Sequence, residues 1–349
     1  MTTIACYQAN SRFIPAAYQA AQAIEFVQRQ GLDDALLFRG GTLHRAEVGH
    51  ANRLLTPAEY LHLLDNLALA MPEGETSFLL GEQLLPGHLG PISHALLQAG
   101  NLGQALDLLL RYQAWLSPLL APHLMHLGKQ TVLYWTDSYV STRLRGFVTE
   151  MMMSAVSGMS RWLSGERLPW QYSFNRTKPA HIEQYSVHLG SNVRFNAYFD
   201  AMAIDNSWLD RPWPRGSALG VGMTKLEADR QIGEHAPRSL LAALYDHLHK
   251  HVRMTPTLEQ TCSAFGSSPA TFKRHLALHG THFQAELDLV RTHTTLQLIH
   301  NHGYSNEQIA AYLGFHDANN FRRSLKRWTG LTPSSLRSEI LDPAGKQAC

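Results

Sequence analysis

The chain of 349 residues has 44% hydrophobic and 17% charged residues, with a formal net charge of +2. Its length predicts two domains, and its composition is that of an ordinary soluble globular protein. Cys6, Cys262 and Cys349 are too few and too scattered for a disulfide framework or a cysteine-rich zinc site. The N-terminus lacks the pattern of a secretory signal, and no apolar run approaches the roughly 20 residues that a membrane span requires. We therefore expect a cytoplasmic protein.

Basic residues are concentrated towards the end of the chain. Residues 238–338 contain 11 Lys and Arg against 6 Asp and Glu, net +5, whereas the remaining residues contain 19 against 22, net −3. Contact with nucleic-acid phosphates requires such a local excess of positive charge. An ordinary solvated basic surface would give the same count, so the charge needs support from motifs.

The first half of the chain is predicted to begin with helices. Thr56 and Pro57 are residue types that cap a helix and occupy its first position, and Gly128 fits the turn of a β-hairpin. After an irregular stretch at 1–15, the predicted helices are 16–29, 57–71, 91–98, 102–116, 143–163 and 180–189, and the predicted strands are 123–127, 130–137, 170–174, 193–195 and 202–205.

Helices followed by a small, largely antiparallel sheet with helices on it predict an α+β domain, which we assign to residues 1–214. Residues 215–237 are punctuated by glycine and proline and are interpreted as a linker. A helix at 238–252 then opens a second domain, 238–338. Residues 339–349 are assigned to a tail.

Residues 304–337 predict two short helices joined by a tight turn. Ser305 is placed to cap a helix at 306–313, and Gly314 ends it. A second helix at 318–328 has one apolar stripe and several basic residues. The stripe is Phe321, Leu325 and Trp328, and the basic residues are Arg322, Arg323, Lys326 and Arg327. A basic helix held by its apolar side on a support helix is the geometry of a helix-turn-helix that enters the DNA major groove.

Residues 257–277 repeat this plan. Cys262 takes the place of Ala310, and Gly266 takes that of Gly314. The other equivalent pairs are Phe272 with Phe321, Arg274 with Arg323, and Leu276 with Leu325, and Ser268-Pro269 begins the second helix. Cys262 lies 10 positions before Phe272 and Ala310 lies 11 before Phe321, so the second turn is one residue longer. A helix at 282–300, roughly 28 Å long, separates the motifs by nearly the ~34 Å between successive major-groove faces.

At these residues the chain resembles the AraC/XylS family of transcription regulators. The resemblance covers residues 239–337 and rests on I-A-x-x-L-G-F followed by F-x-R-x-(F/L)-K-x-x-x-G-x-(S/T)-P-x-x-x-R. The matching residues are Ile309, Ala310, Leu313, Gly314, Phe315, Phe321, Arg323, Leu325, Lys326, Gly330, Thr332, Pro333 and Arg337. The family usually has phenylalanine where Leu325 stands, a change that nearly conserves volume. The resemblance implies an all-α, tandem helix-turn-helix domain that binds double-stranded promoter DNA.

The resemblance also implies which side chains contact DNA bases. They are Ala270, Lys273 and Arg274 in the first recognition helix, and Ala318, Asn319, Asn320 and Arg323 in the second. Arginine and lysine suit guanine, asparagine suits adenine, and alanine offers only an apolar contact, for instance to a thymine methyl group. We expect phosphate contacts from Ser268, Arg322, Lys326 and Arg327.

Residues 89–112 and 179–214 resemble the arabinose-binding-type sensor domain, distinct from cupin sensors, of one branch of the same family. The resemblance implies that residues 1–214 bind a small-molecule effector, of unknown identity, and form a homodimer. The whole chain is then expected to be a bacterial transcription regulator, an activator acting with RNA polymerase, cytoplasmic and associated with the nucleoid when bound to DNA. An alternative is an effector-independent DNA-binding regulator whose first half is a protein-interaction module.

An enzyme is disfavoured by the absence of catalytic motifs. The chain has no G-x-S-x-G motif or glycine-rich phosphate loop. An amidotransferase-like first half would need a cysteine on a sharp strand-to-helix turn, but that half has only Cys6, before any predicted strand. We therefore predict no catalytic residue and no cofactor.

Three groups of residues are open to two interpretations each. The pairs His247/His251 and His275/His279 have a spacing that can place two metal ligands on one helix face. No third ligand is evident, so we predict no metal site. Four methionines either pack in the core or line an effector pocket, namely Met151, Met152, Met153 and Met159. Arg143 and Arg145 are either solvated side chains at the start of a helix or contacts for an acidic effector.

Overall fold

The computed structural model describes residues 3–50, 52–71, 74–139, 143–232 and 238–339. The chain divides into two units by its internal contacts. The N-terminal unit comprises Cys6–Leu124 and Thr131–Ser239, and the C-terminal unit comprises Met1–Ala5, Met125–Gln130 and Leu240–Cys349. Within the described residues, no helix is both long enough and apolar enough to cross a membrane.

Helices dominate the N-terminal unit. They are α1 (Ala21–Arg29), α2 (Arg45–Val48), α3 (Pro57–Ala70), α4 (Thr76–Leu84), α5 (Pro91–Leu97), α6 (Leu102–Arg111), α7 (Gln113–Leu116), α8 (Arg145–Ser164), α9 (Ile182–His188) and α10 (Ala218–Ile232). A π-helical turn at Ala16–Ala20 leads into α1. Thr56 caps α3 and forms a reciprocal pair of hydrogen bonds with Glu59. All six helices predicted in this half are confirmed, although the one at 102–116 is divided into α6 and α7.

The strands form one five-stranded sheet and two short pairings. They are β1 (Cys6–Tyr7), β2 (Ile14–Pro15), β3 (Leu54–Leu55), β4 (Leu120–Leu127), β5 (Gln130–Asp137), β6 (Gln171–Ser173), β7 (Val193–Arg194), β8 (Ala201–Asp205) and β9 (Arg238–Ser239). The sheet has the order β4-β5-β8-β6-β7. β6 is antiparallel to β8 but parallel to β7, because α9 connects β6 to β7 as a crossover. The predicted α+β class is confirmed.

The helix α4 was not predicted, and it packs directly on the long helix α8. A Cβ atom on Gly81 of α4 would lie 2.2 Å from the carbonyl oxygen of Met151, and one on Gly158 of α8 would lie 3.3 Å from the Cα of Glu82. Ser154 of α8 also donates a hydrogen bond to the carbonyl of Phe78 at 2.9 Å. Glycine at these two positions therefore allows the two helix backbones to approach closely.

The methionines of α8 belong to the core of the N-terminal unit. The four are Met151, Met152, Met153 and Met159, each at most 2% exposed. The two arginines near the start of α8 contact acidic groups of the protein itself. Arg143 pairs with Asp65 at 3.2 Å, and Arg145 contacts Asp137 and Asp200. Each of the two arginines therefore already has a carboxylate partner within the unit.

A buried carboxylate joins three elements in this core. Glu150 of α8 is 7% exposed. It accepts hydrogen bonds from Ser77 of α4 at 2.5 Å and from the hydroxyl of Tyr185 of α9, and it pairs with Arg176 at 2.9 Å. Burial, followed by the nearby Glu150 charge, raises the pKa of Tyr185. The cluster satisfies a charge that would otherwise be costly to bury.

The stretch interpreted as a linker contains α10. Its Asp229 binds Arg111 at 2.7 Å and accepts a hydrogen bond from Tyr112 at 2.8 Å, both at the end of α6. Ala228 on the same side of α10 is fully buried. This helix was missed because Gly220 and Gly222 lower the helix propensity of its first turns.

Residues 240–339 of the C-terminal unit form only helices and turns. The helices are α11 (Leu240–His251), α12 (Leu258–Ala264), α13 (Pro269–Leu278), α14 (Phe283–His302), α15 (Asn306–Tyr312), α16 (Ala318–Thr329) and α17 (Pro333–Glu339). The predicted helices of both motifs and the long helix between them are confirmed to within a few residues, and so is the all-α class.

Histidines in this unit have structural contacts. His293 of α14 is 2% exposed and lies 2.9 Å from the hydroxyl of Tyr245 of α11, and burial lowers its pKa to about 3. His251 bonds to the carbonyl of His247 at 2.8 Å. Among the residues that the structure describes, no group of three His, Cys, Asp or Glu side chains could hold a metal ion.

Candidate nucleic-acid interface

The second helix-turn-helix consists of α15 and α16. Ser305 caps α15 and exchanges hydrogen bonds with Gln308. Gly314 follows with φ of +74°, a left-handed conformation that glycine adopts without strain. A Cβ atom there would lie 2.2 Å from Cγ2 of Thr255. Gly314 is therefore needed both for the turn and for its close approach to the segment after α11.

The inner side of α16 is anchored by aromatic and aliphatic packing. Phe321 and Leu325 are fully buried. The ring of Phe315 lies 5.9 Å from that of Phe321 and 5.8 Å from that of Trp328. The guanidinium of Arg291 from α14 covers Phe315 at 5.3 Å. The predicted apolar stripe is confirmed, and it fixes the rotation of α16 about its axis.

The outer side of α16 carries the predicted base contacts, and its polar side chains are paired with one another. Asp317 caps the helix by accepting a hydrogen bond from the backbone of Asn320 at 2.7 Å, and it accepts another from the Asn320 amide at 3.0 Å. The Asn320 oxygen in turn accepts a hydrogen bond from Arg323 at 2.6 Å. Asn319 accepts one from Arg322. These contacts orient the asparagines and arginines before any DNA is bound.

Asp317 is the only acidic group of this cluster, and it stays ionised. Hydrogen bonding, first from the backbone N–H of Asn320, holds the pKa of Asp317 below its usual range. Asp317 was not predicted as a cap, although aspartate followed by a basic amphipathic run is a helix-start signal. Arg337 also has a structural contact, because it donates to the carbonyl of Tyr304 and to Asn306, each at 3.1 Å. It thereby ties α17 to the start of α15.

The first helix-turn-helix, α12 and α13, has the same construction. Thr257 and Gln260 form the N-terminal hydrogen-bond pair of α12, and Ser268 caps α13 by accepting from the backbone of Thr271 at 3.2 Å. The predicted packing positions are buried, namely Cys262, Phe272 and Leu276, each at most 1% exposed. Gly266 has φ of +59°. The internal repeat predicted from sequence is confirmed in the fold.

The turns of the two motifs differ by one residue. Three positions separate the helix-ending residue Phe265 from the cap Ser268, and four separate Leu313 from Asp317. The exposed outer sides differ as well. Lys273 and Arg274 of α13 have no hydrogen-bond or ion-pair partner among the described residues, whereas the corresponding side of α16 is a pre-paired asparagine–arginine cluster.

The structure places every predicted DNA-contacting residue at the surface. Ala270, Lys273, Arg274, Ser268, Asn319, Arg322, Arg323, Lys326 and Arg327 are exposed, and Ala318 and Asn320 are partly exposed. Within the described ranges, none of the six cations on α13 and α16 lies within ion-pair distance of a carboxylate. Each recognition helix therefore presents cations on one side and is held by a buried phenylalanine on the other, the arrangement that major-groove binding requires.

Two family models match this chain. The arabinose-binding N-terminal domain of AraC transcription regulators matches residues 31–213, more than half of the chain. A helix-turn-helix domain matches residues 261–339, which begin inside α12 and run to the end of α17.

Relatives of known name are transcription regulators rather than enzymes. The ornithine utilization regulator of Pseudomonas aeruginosa is 25% identical over 330 residues, covering 94% of this chain and 97% of that protein. The HTH-type transcriptional regulator VirS of Mycobacterium tuberculosis is 24% identical over 263 residues, covering 72% and 75%. The crystal structure of the transcriptional regulator CdpR from Pseudomonas aeruginosa aligns with 91% of this chain and 97% of its own, with 17% identity and a TM-score of 0.46. The chain belongs to the AraC family of DNA-binding transcription regulators, in the branch with an arabinose-binding-type N-terminal domain.

Proposed function

We propose that this regulator activates specific bacterial promoters, together with RNA polymerase, under the control of a small-molecule effector. It acts in the cytoplasm and joins the nucleoid when bound to DNA. In this scheme residues 1–214 sense the effector, the helix α10 within the predicted linker 215–237 packs on α6 and carries the dimer contact, and residues 238–338 bind DNA. Residues 340–349 of the predicted tail lie outside the described residues. An effector can act in this scheme only by binding the active and inactive states with different affinity.

The pre-paired surface of α16 is the observation that carries sequence-specific binding. The chain of hydrogen bonds from Asp317 through Asn320 to Arg323 holds an amide and a guanidinium side by side. Such groups can make bidentate contacts to adenine and guanine, respectively. Because α13 offers Lys273 and Arg274 instead, we expect the two motifs to prefer different bases.

Arg323→Ala is expected to weaken binding to the specific site by about 1–3 kcal/mol and to relax the preference at one base position. Lys326→Ala is the matched control on the same helix. A phosphate contact from Lys326 predicts weaker binding to all sequences and a flatter salt dependence. Fluorescence anisotropy at several salt concentrations, with a duplex selected from random sequences, measures both effects. Wild-type affinity in both variants would remove α16 from the DNA-contacting surface.

The proposal of effector control is supported by the similarity of the N-terminal unit to the arabinose-binding domain of AraC regulators. One relative is named for ornithine utilization, which ties that protein to the metabolism of a small molecule. By this likeness we propose that the present chain also responds to a small metabolite. A ligand that binds only the folded state raises the melting temperature. A metabolite library that produces no such shift would favour the alternative, in which the N-terminal half is only a protein-interaction module.

The outer face of α10 supports a homodimer. Leu219, Met223 and Leu226 lie on this face at helical spacing and are 84%, 74% and 61% exposed. Gly222 lies between them, and no atom lies within 4 Å of where its Cβ would be. In an antiparallel pair crossing beside Gly222, Leu219 of one copy would face Leu226 of the other. The face is therefore self-complementary, as a two-fold interface requires, and we propose a second copy of the chain as its occupant.

Introducing Leu219→Glu and Leu226→Glu together is expected to convert the dimer to a monomer, because pairing would bury carboxylates without partners. Val187→Glu is the control, since Val187 is 65% exposed on α9, away from this face in the sequence. Light scattering coupled to size exclusion, with and without DNA, gives the mass. A wild-type monomer under both conditions, or a dimeric double variant, would contradict the proposal.

A further inference from the structure

A groove of about 980 Å³ opens on the N-terminal unit beside the α4–α8 pair. Its walls are the end of α4, the segment from Leu85 to Gly90, the helix α5 and the last turns of α8. Small-molecule sites in proteins typically have volumes of roughly 300–1,000 Å³, so the groove has room for a metabolite.

Glycines keep the groove open. Gly87, Gly90, Gly158 and Gly165 all line it and contribute no side chain. Gly90 has φ of +59°, and the nearest atom to its missing Cβ is the Tyr18 hydroxyl at 4.0 Å. Gly158 is needed for the contact of α8 with α4, as described above. The same close packing brings side chains of α4 and α8 onto one wall of the groove.

Two opposite charges stand side by side on this wall. The carboxylate of Glu82 lies 3.6 Å from the guanidinium of Arg161, which is beyond hydrogen-bonding distance, and 3.3 Å from Nδ1 of His188. The hydrogen bond with His188 is the main cause that lowers the pKa of Glu82, so the group is an anion at neutral pH. Arg161 is half exposed, and its only ion-pair contact among the described residues is this long one.

An aromatic surface adjoins the charges. Trp162, the residue after Arg161, lines the same groove and is 50% exposed. The guanidinium of Arg215 lies 5.1 Å from its ring. A half-exposed tryptophan next to polar groups provides an apolar contact for the carbon skeleton of a ligand.

We propose that this groove binds the effector and that the effector is a small zwitterion of the amino-acid class. The ligand's carboxylate pairs with Arg161, its ammonium group pairs with Glu82, and its carbon chain packs on Trp162. A simple anion would be repelled by Glu82 and a simple cation by Arg161, whereas the two charges of an α-amino acid are attached to neighbouring carbons and match both. The inference rests on the effector control proposed above and adds the place and the chemical class.

The test uses calorimetric titration of the full-length protein with the twenty standard α-amino acids and L-ornithine. For each amino acid that binds, the matching amine without the carboxylate and the matching acid without the α-amino group serve as controls. We expect at least one amino acid to bind and both of its controls to bind more weakly by about 10-fold or more, because each control lacks one of the two charged groups that pair with Arg161 and Glu82. Failure of every amino acid to bind, or equal binding of the controls, would overturn the proposal.

Variants locate the site. Arg161→Gln and Glu82→Gln are each expected to weaken binding of the amino acid by about 10-fold or more. Arg230→Gln is the control and is expected to leave the affinity unchanged, because Arg230 is exposed on α10 and does not line the groove. Thermal melts check that each variant is folded. Trp162→Phe is expected to remove the ligand-induced change in tryptophan fluorescence. Wild-type affinity in both Arg161→Gln and Glu82→Gln would place the ligand elsewhere.

DNA binding measured with and without a protein-free metabolite extract distinguishes failure of the groove assignment from failure of effector control. If the extract changes DNA binding while no amino acid does, the chain is effector-controlled but the groove assignment is wrong. If neither changes DNA binding, effector control fails too. If an amino acid changes DNA binding and Arg161→Gln abolishes the change, both proposals hold.

Discussion

Replacing Phe321 with alanine is expected to lower the free energy of unfolding of the C-terminal unit by about 3–5 kcal/mol. Phe321 is fully buried, and its ring contacts Phe315, which is itself covered by Arg291 of α14. The variant leaves a cavity where α16 is held, so specific DNA binding is expected to be lost as well. Hydrogen exchange of the α14 and α16 amides in the full chain measures the local effect.

Phe321→Leu is the matched control, because it removes less volume and is expected to cost less than about 1.5 kcal/mol. Arg323→Ala provides the complementary comparison, since it should weaken DNA binding with little change in stability. If Phe321→Ala left hydrogen exchange in α16 unchanged, the ring would not be an anchor of the recognition helix.

Replacing Glu150 with alanine is expected to destabilise the N-terminal unit by about 3–5 kcal/mol. The substitution leaves Arg176 without its carboxylate and removes the acceptor for the hydroxyls of Ser77 and Tyr185. Because these groups come from α4, α9 and the segment after β6, their loss loosens several elements at once. Urea unfolding of the full chain, followed by circular dichroism, measures the change.

Glu150→Gln is the matched variant. It keeps the shape of the side chain and an acceptor oxygen, so we expect a smaller loss of stability. Most of that loss would come from the broken ion pair with Arg176. A cost for Glu150→Ala of only about 1 kcal/mol or less, as for an exposed ion pair, would show that the cluster does not support the fold.

Short-range signals were enough to predict the DNA-binding half. Ser305, Gly314 and Pro269 act through the backbone within one or two turns of their own position, and the structure has each in its predicted role. The apolar spacing of Phe321 and Leu325 determined which side of α16 is buried. The identity of the DNA-contacting side chains remains a prediction from resemblance and exposure.

Elements that are stabilised by residues far away in the sequence could not be predicted from such local signals. The helix α4 has apolar residues around its circumference and a central Gly81, which weakens any helical pattern in the sequence. Its stability comes from packing on α8, about 70 positions later in the chain. The same holds for α10, whose Asp229 is bound by Arg111 from α6. The stretch at 1–15, predicted to be irregular, contains the short strands β1 and β2. They were not predicted because their partners, β9 and β3, lie elsewhere in the sequence.

The sequence by itself therefore determined the family, the two fold classes and the tandem recognition helices, because caps, turns and helical periodicity are local properties of the chain. Only the tertiary structure decided where Glu82, Arg161 and Trp162 meet in one groove, how Glu150 is satisfied, and that Asp317 orients Asn320 and Arg323. These arrangements depend on which helices pack together and at what distance. Such distances are set by side-chain volume and by glycines such as Gly81 and Gly158, whose role is visible only when both helices are in place.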